Sequence, residues 1–343
     1  MKKLKGVAVG LGYFSQFHLE AWGRLPGVEI SAVCDLDKDL AHKTALEYGI
    51  PHAHDHPEKM LLTEKPDFID IITPPETHLN LCQLAAQNGV HIICQKPLAP
   101  SLKEATHIQK IVKDHGIRMM VHENFRFQPW HREIKRLLEE KHVGTQLHSI
   151  NWQMRMGDGW QEDAYMNRQP YFREMEKLFM YETGIHLIDT LRYFGGDIDR
   201  VFAKLKRFNA NIKGEDSALV LCDFNKGGSA IIDANRYNES TCKNPRLTFG
   251  KILLEGDKGS IRLYEDGRIA IQPLGQKERT HTYSFEDKNF SGDCVYATQQ
   301  HFVDRLRSGA PFETNLTEYL KNMRVLETIY ASNEKELPLP ISG

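Results

Sequence analysis

The sequence predicts an α/β protein: a doubly wound parallel sheet, then a C-terminal α+β domain built on a large, mostly antiparallel open-faced sheet. Three observations predict it. Short β-rich runs alternate with helical periodicity through the first third. A glycine-rich turn joins the first such run to the first helical one. Beyond residue 122 the pattern gives way to strand-like runs separated by glycine turns.

In the first part, strand character falls at 6–9, 29–34, 68–73, 91–94 and 118–122, and helical periodicity at 15–24, 38–48, 77–88 and 102–115. Several of these helices run into a glycine, which suits a left-handed C-terminal residue. They define a first domain over 1–122 and leave 123–343 for the second. There the strand-like runs are 146–156, 201–208, 217–224, 229–237, 251–255, 260–264 and 268–273. Lys226-Gly227-Gly228, Asp257-Lys258-Gly259 and Glu265-Asp266-Gly267 supply hairpin turns between them. Two helices close the chain, 293–308 and 316–332, the second opened by Asn315 with Glu318 as a capping arrangement. The stripe of Phe302, Val303 and Leu306 reads as core rather than a partner site.

Composition narrows the function. With 343 residues, 41% hydrophobic and 26% charged, the chain can bury two cores, and no stretch is long and apolar enough for a membrane span. A net charge of −2 with interspersed signs gives no nucleic-acid footprint, so the expected partner is a small molecule. Six scattered cysteines form no C-x-x-C pair, and the opening Met1-Lys2-Lys3-Leu4-Lys5 leads straight into a strand pattern. Both point to a cytoplasmic protein with reduced thiols.

The turn Gly10-Leu11-Gly12-Tyr13-Phe14-Ser15 stands where a dinucleotide fingerprint belongs, between the first strand and the first helix. Gly10 permits the tight turn and Gly12 lets backbone approach a pyrophosphate held at the helix N-terminus, while Ser15 is small enough for close packing. Asp35, 25 residues after Gly10, can accept hydrogen bonds from ribose hydroxyls. Its charge opposes a 2′-phosphate and Leu36 follows it, so the expected cofactor is NAD, with Lys38 keeping NADP open.

Two segments fall at strand ends, where ligands bind in such sheets: Thr73-Pro74-Pro75-Glu76-Thr77-His78 and Cys94-Gln95-Lys96-Pro97. A lysine at such an end is expected to be partly desolvated, which favours proton exchange with a hydroxyl. In the second domain Glu182, His186 and Asp189 are spaced by four and three, one face of an α-helix, with His186 suited to proton transfer near neutral pH. Glu123, Asn124, Arg126, Trp152, Arg155 and Tyr171 are candidates for substrate contacts, since aromatic faces and bidentate polar groups suit the carbohydrate that the chain's family resemblance implies. His52, His54 and His56 alternate between Pro51 and Pro57; the prolines favour a loop over a chelate, and no metal is expected.

Taken together these motifs resemble the Gfo/Idh/MocA family of oxidoreductases, over essentially the whole chain. The Gly-rich fingerprint matches Gly10, Gly12 and Ser15, and the Thr-Pro-x-x-x-His segment matches Thr73 to His78. The family's Glu-Lys-Pro appears as Gln95-Lys96-Pro97, and its Asp-x-Gly-x-His helix as Glu182-Thr183-Gly184-Ile185-His186, followed by Asp189. The resemblance implies a Rossmann domain binding NAD(P), with contacts from Tyr13, Phe14, Thr73, Pro74, His78, Gln95 and Lys96. It implies dehydrogenation of a sugar, inositol or sugar acid, and a homodimer or homotetramer formed through the C-terminal sheet. It assigns Lys96 to the reacting hydroxyl, His186 to general acid/base work, and Glu182 to the place of the usual aspartate. A narrower likeness, through Ile93 to Pro97, His122 to Arg126, Gln169-Pro170-Tyr171 and Ile212 to Asp216, implies oxidation of an aldose at its anomeric carbon to a lactone. Two other functions share the fold: an NADP-dependent reductase of a keto sugar or dihydrodiol, and a non-catalytic NAD-binding regulator, the latter favoured by the departures at Gln95 and Glu182.

Overall fold

The computed structural model describes residues 3–341; Met1 and Lys2, at the head of the stretch read for a leader, lie outside the described residues, as do Ser342 and Gly343. The chain divides into two units, 1–124 with 295–320, and 125–294 with 321–343.

In the first unit, β1 (Leu4–Val9), β2 (Val28–Cys34), β3 (His52–His54), β4 (Phe68–Ile71), β5 (His91–Gln95) and β6 (Met119–His122) form one sheet in the order β3-β2-β1-β4-β5-β6. Every pairing is parallel. Strands covered on both faces carry near-continuous apolar runs, as in Val7-Ala8-Val9 and Ile92-Ile93-Cys94, all buried. The connections are α1 (Ser15–Arg24), α2 (Lys38–Tyr48), α3 (Pro57–Glu64), α4 (His78–Gln87) and α5 (Leu102–Asp114). Asp37 caps α2 by accepting from the N–H groups of Asp39 and Leu40, and Ser101 caps α5 through Glu104.

The stretch 51–57, read as a loop, instead contains the edge strand β3, paired with Ala32–Cys34, and leads into α3 at Pro57. Three residues are too few to show a two-residue period, and that is why the strand escapes sequence reading. His52 Nδ1 and His54 Nε2 both reach Glu64, at 2.8 and 3.4 Å. Lys5, His54 and Ser31 bonds outweigh burial and hold the Glu64 carboxyl down at about 2.

Residues 295–320, placed with the second domain in the sequence reading, belong with the first unit for a packing reason. Phe302, Val303 and Phe312 share a buried cluster with Trp22, Phe68, Ile93 and Met120, with Leu306 packed against it. The same segment covers an edge: Val121 donates its N–H to the Thr314 carbonyl and accepts from the Thr314 hydroxyl at 2.6 Å, so β6 is not left open.

The second unit holds α6 (Pro129–Glu139), β7 (Leu147–Arg155), α7 (Ile185–Gly195), β8 (Ile198–Lys206), β9 (Ser217–Phe224), β10 (Ser229–Asn235), β11 (Lys251–Gly256), β12 (Gly259–Leu263), β13 (Ile269–Pro273), β14 (Arg279–His281) and β15 (Leu339–Pro340). The last two helices are α8 (Cys294–Ser308) and α9 (Leu316–Lys335), and Asn315 Oδ1 accepts from the Glu318 N–H as the capping pattern predicts. The sheet runs β14-β13-β12-β11-β7-β10-β9-β8-β15, antiparallel except for β7 beside β10. Alternation is clean: Ala218, Val220, Cys222 and Phe224 are buried while Leu219 and Leu221 between them are about half exposed, at 49% and 45%. Register aligns Phe202, Leu221, Ile231, Asn151 and Leu253 in one row across the opposite face. No helix among the described residues is long and apolar enough to cross a membrane.

Candidate functional site

The glycine turn is built as a nucleotide cradle requires. Gly10 sits at φ +91°, and a Cβ there would fall 2.6 Å from Thr73 Cγ2 and 2.8 Å from the Thr73 nitrogen, so only glycine fits both the conformation and the neighbour. A Cβ on Gly12, by contrast, would meet no atom within 4 Å, which leaves backbone accessible to a phosphate at the N-terminus of α1. The Ser15 hydroxyl donates to the Gly12 carbonyl at 2.7 Å and closes the turn. Tyr13 is 41% exposed beside it, and Phe14 and Phe17 pack their rings 5.2 Å apart.

Asp35 does more than wait for a ribose. Its Oδ2 accepts from the Leu11 N–H at 2.8 Å and its Oδ1 from the Asp37 N–H at 3.0 Å, which ties the end of β2 to the glycine turn. A carboxylate offers about four acceptor positions, so hydroxyl recognition is still available to it. Leu36 next to it is 88% exposed and Lys38 lies on the surface at the start of α2.

His78, expected among the cofactor contacts, is fully buried and serves a different end. Its Nε2 faces the Thr73 carbonyl at 2.8 Å and its Nδ1 the Leu98 carbonyl at 3.0 Å, so one imidazole staples the 73–78 loop to the chain after Lys96. Burial pushes its pKa down, against the pull of both carbonyls. Thr73 is half-buried and Pro74 exposed, Lys96 is half-buried, and Gln95 at the end of β5 is buried with its side chain turned back toward the Lys96 N–H. The Lys96-Pro97 peptide is cis.

In the second unit, residues 179–184 form a π-helical turn directly before α7, a distortion frequent at functional positions. Glu182 stands in that turn, while His186 and Asp189 follow within α7, three residues apart. Asp189 takes Arg126 in a fork at 2.6 and 2.7 Å and Asn322 at 2.7 Å. His186, 5% exposed, lies flat on Phe125 with ring centroids 4.0 Å apart. Glu182 accepts from the Thr183 hydroxyl at 2.6 Å and lies 3.5 Å from Arg236.

Arg236, from the end of β10, escaped sequence reading. It is buried, pairs with Asp158 at 2.6 Å, donates to Thr183 at 3.2 Å and lies over the rings of Tyr165 and Phe172. Burial works against its charge, but Asp158, Tyr165 and Glu182 more than offset this and raise its pKa. Asp158 is likewise pushed up by burial, yet Arg236, Arg246 and Arg168 hold it below the ordinary carboxylate range. Tyr171 is 57% exposed, and desolvation of its hydroxyl followed by the Glu182 charge pushes its pKa up to about 12. Only the isolated arginine after a strand could have signalled Arg236, and sequence gives it no partner.

Three of the expected sugar ligands, Trp152, Arg155 and Arg126, have partners within the protein. Trp152 and Arg155 point to opposite faces of β7, because strand side chains alternate. Trp152 is buried and donates to the Phe249 carbonyl at 2.9 Å, while Arg155 lies on the open face, held by Asp233 at 2.8 Å. Arg126 is committed to Asp189. Glu123 and Asn124, which end the first unit, are buried. Among the described residues no group of three or more His, Cys, Asp and Glu is disposed to hold a metal ion.

The comparisons with known proteins agree with this geometry. A family model described as the oxidoreductase family, NAD-binding Rossmann fold, matches residues 4–123, and the GFO/IDH/MocA C-terminal domain model matches residues 131–262. A D-apiose dehydrogenase of Paraburkholderia graminis is 32% identical, covering 97% of this chain and 88% of the relative. A second, from Rhizobium rhizogenes, is 32% identical over 97% of this chain and 96% of its own. Among solved structures, an oxidoreductase from Agrobacterium radiobacter in complex with NAD+, L-tartaric acid and magnesium superposes with a TM-score of 0.91 at 28% identity, covering 99% of each chain.

Proposed function

This chain belongs to the Gfo/Idh/MocA oxidoreductase family, and we propose that it oxidises an aldose such as D-apiose at the anomeric carbon, giving a lactone and NADH. That it is an NAD(P)-dependent oxidoreductase acting on CH–OH donors, in an NAD-binding family of sugar dehydrogenases, follows from the membership itself. The finer reading is carried by one observation: Gln95-Lys96-Pro97 stands at a strand end in a chain 32% identical to D-apiose dehydrogenases over 97% of its length.

The residues fit the cofactor at the Gly10–Gly12 turn and at Asp35, where an adenosine ribose and pyrophosphate would be held. NAD, when bound, supplies the hydride acceptor. The substrate's C1–H bond breaks with its electron pair, and the C1 hydroxyl loses its proton as the lactone carbonyl forms. In our reading Lys96 donates a hydrogen bond to that hydroxyl and stabilises its developing negative charge. His186 takes the proton, its ring orientation held by Phe125. Glu182, 3.5 Å from Arg236, stands in for the family's aspartate. Tyr171, Glu123 and Asn124 remain candidates for sugar hydroxyls.

We further assign the apolar row Phe202, Leu221, Ile231 and Leu253 to contact with a second copy of the chain, in a homodimer or homotetramer, and the protein to the cytoplasm, where its six free thiols would stay reduced. Light scattering after gel filtration tests the first; a monomer at micromolar concentration would refute it. The reaction is tested by incubating the protein with NAD and a panel of aldoses, polyols and sugar acids and following reduced nicotinamide. We expect turnover on aldoses, with D-apiose among the best. Turnover confined to polyols, or dependence on NADP alone, would contradict the proposal.

A further inference from the structure

Beneath the 95–97 turn, wholly within the first unit, lies a chain of buried polar groups that no motif singles out. His18 from α1, Asp70 from β4 and His122 from β6 are fully buried, and Gln95 nearly so. Asp70 Oδ2 lies 2.6 Å from Trp22 Nε1 and 2.7 Å from His18 Nδ1. An oxygen that accepts the indole N–H presents an acceptor to His18 as well, so Nδ1 carries a proton, and the amide nitrogen of Gln95, a donor, set against Nε2 leaves that atom as the lone pair. The Gln95 amide nitrogen meets that lone pair at 2.7 Å and His122 Nδ1 at 3.3 Å, which turns Gln95 Oε1 toward the Lys96 N–H, 3.1 Å away. The two imidazoles lie 4.1 Å apart between centroids, and Gln299 from α8 donates to the His18 carbonyl at 3.2 Å. The indole N–H, the His18 Nδ1–H and the Gln95 amide are thereby matched to acceptors in a sequence of bonds whose direction Asp70 sets.

We propose that His18 and Asp70 are positioning residues for Lys96: Asp70 fixes the tautomer of His18, His18 fixes the Gln95 amide, and the amide holds the backbone from which Lys96 projects. Glutamine suits this position because a glutamate would set a carboxylate lone pair against His18 Nε2, which would then require a second proton on the imidazole. The departure from the family's Glu-Lys-Pro is thus matched to the neighbour beneath it. The effect on turnover rests on the role given to Lys96 above; the hydrogen-bond directions do not.

The test is Gln95→Glu, compared with the wild type and with Gln95→Met. The introduced carboxylate needs a proton between itself and His18, and that proton is lost as pH rises. The ratio of variant to wild-type kcat should therefore fall about tenfold or more between about pH 6 and pH 8. For Gln95→Met the ratio should be lowered by about tenfold at every pH, since no new titrating group is added. The ionisable groups in the cluster are His18, His122 and Asp70, with Cys94 near enough to feel the Asp70 charge, and all are common to the three proteins. A flat ratio for Gln95→Glu would overturn the proposal. Histidine 15N NMR reads the network without turnover: His18 should show the neutral Nδ1–H tautomer in the wild type and the doubly protonated ring in Gln95→Glu near neutral pH. An Nε2–H tautomer in the wild type refutes the assignment, and this spectrum alone decides the matter if the variant fails to fold. A wild type that oxidises no aldose would sink the proposed reaction and leave the NMR result standing.

Discussion

The two units hold their polar groups by different means. In the parallel unit, Asp70, His18 and Gln95 form a directed series of hydrogen bonds, and the glycine turn is fixed by a contact too close for any side chain. In the antiparallel unit the equivalent order comes from charge: Arg236 between Asp158 and Glu182, and Arg126 forked onto Asp189. A directed series of bonds fails by wrong geometry, whereas paired buried charges fail by being left uncompensated. Substitutions in the first unit should therefore damage binding and rate, and those in the second should also damage stability.

The largest effect is expected at Lys96. Replacing it by methionine should lower kcat about 10³-fold while NAD affinity stays within about twofold, because the lysine acts on the hydroxyl rather than on the pyrophosphate. Parallel steady-state kinetics and NAD titration check this, and unchanged kcat would remove the lysine from the mechanism. Gly10→Ala comes next. At φ +91° and 2.8 Å from the Thr73 nitrogen the methyl group has nowhere to go, so NAD binding should weaken about 100-fold by calorimetry.

In the second unit, Arg236→Met removes the buried cation shared by Asp158 and Glu182, leaving Asp158 to the more exposed Arg246 and Arg168, and should cost about 3 kcal/mol in urea unfolding, well beyond the effect of Gly10→Ala on the same measurement. The smallest effect concerns pH. His131, buried with Nδ1 against the Phe125 carbonyl, is pushed from 6.5 down to about 3 by burial. Because the folded chain refuses the proton that the unfolded chain accepts, stability is complete above 6.5 and is lost as pH falls from there toward 3. Moving from neutral pH to about pH 5 should cost roughly 2 kcal/mol in the wild type and much less in His131→Gln, seen in the urea midpoints.

The same contrast governs what could be read from residues alone. The doubly wound sheet was legible because strand, glycine turn, helix and Asp35 follow one another at short spacing, so local chemistry announces the site. The nine-stranded sheet was legible from alternation in runs such as Ala218 to Phe224, but β3, β14 and β15 are too short to show a period. The return of 295–320 to the first unit depends on Phe302 and Phe312 meeting Trp22, a contact about 280 residues distant that no local pattern encodes. His18 and Arg236 were missed for the same reason: each matters only through a partner far along the chain. The π-helical turn at 179–184 was not legible either, since periodicity assumes 3.6 residues per turn.

The central claim, that this chain passes hydride from the anomeric carbon of an aldose to NAD, is tested most directly with substrate deuterated at C1. The account predicts that the deuterium appears on the nicotinamide ring of the reduced cofactor, by mass spectrometry, and that lactone accumulates in step with it. Reduced cofactor without label, or bound NAD that stays oxidised in the presence of every aldose tried, would contradict it.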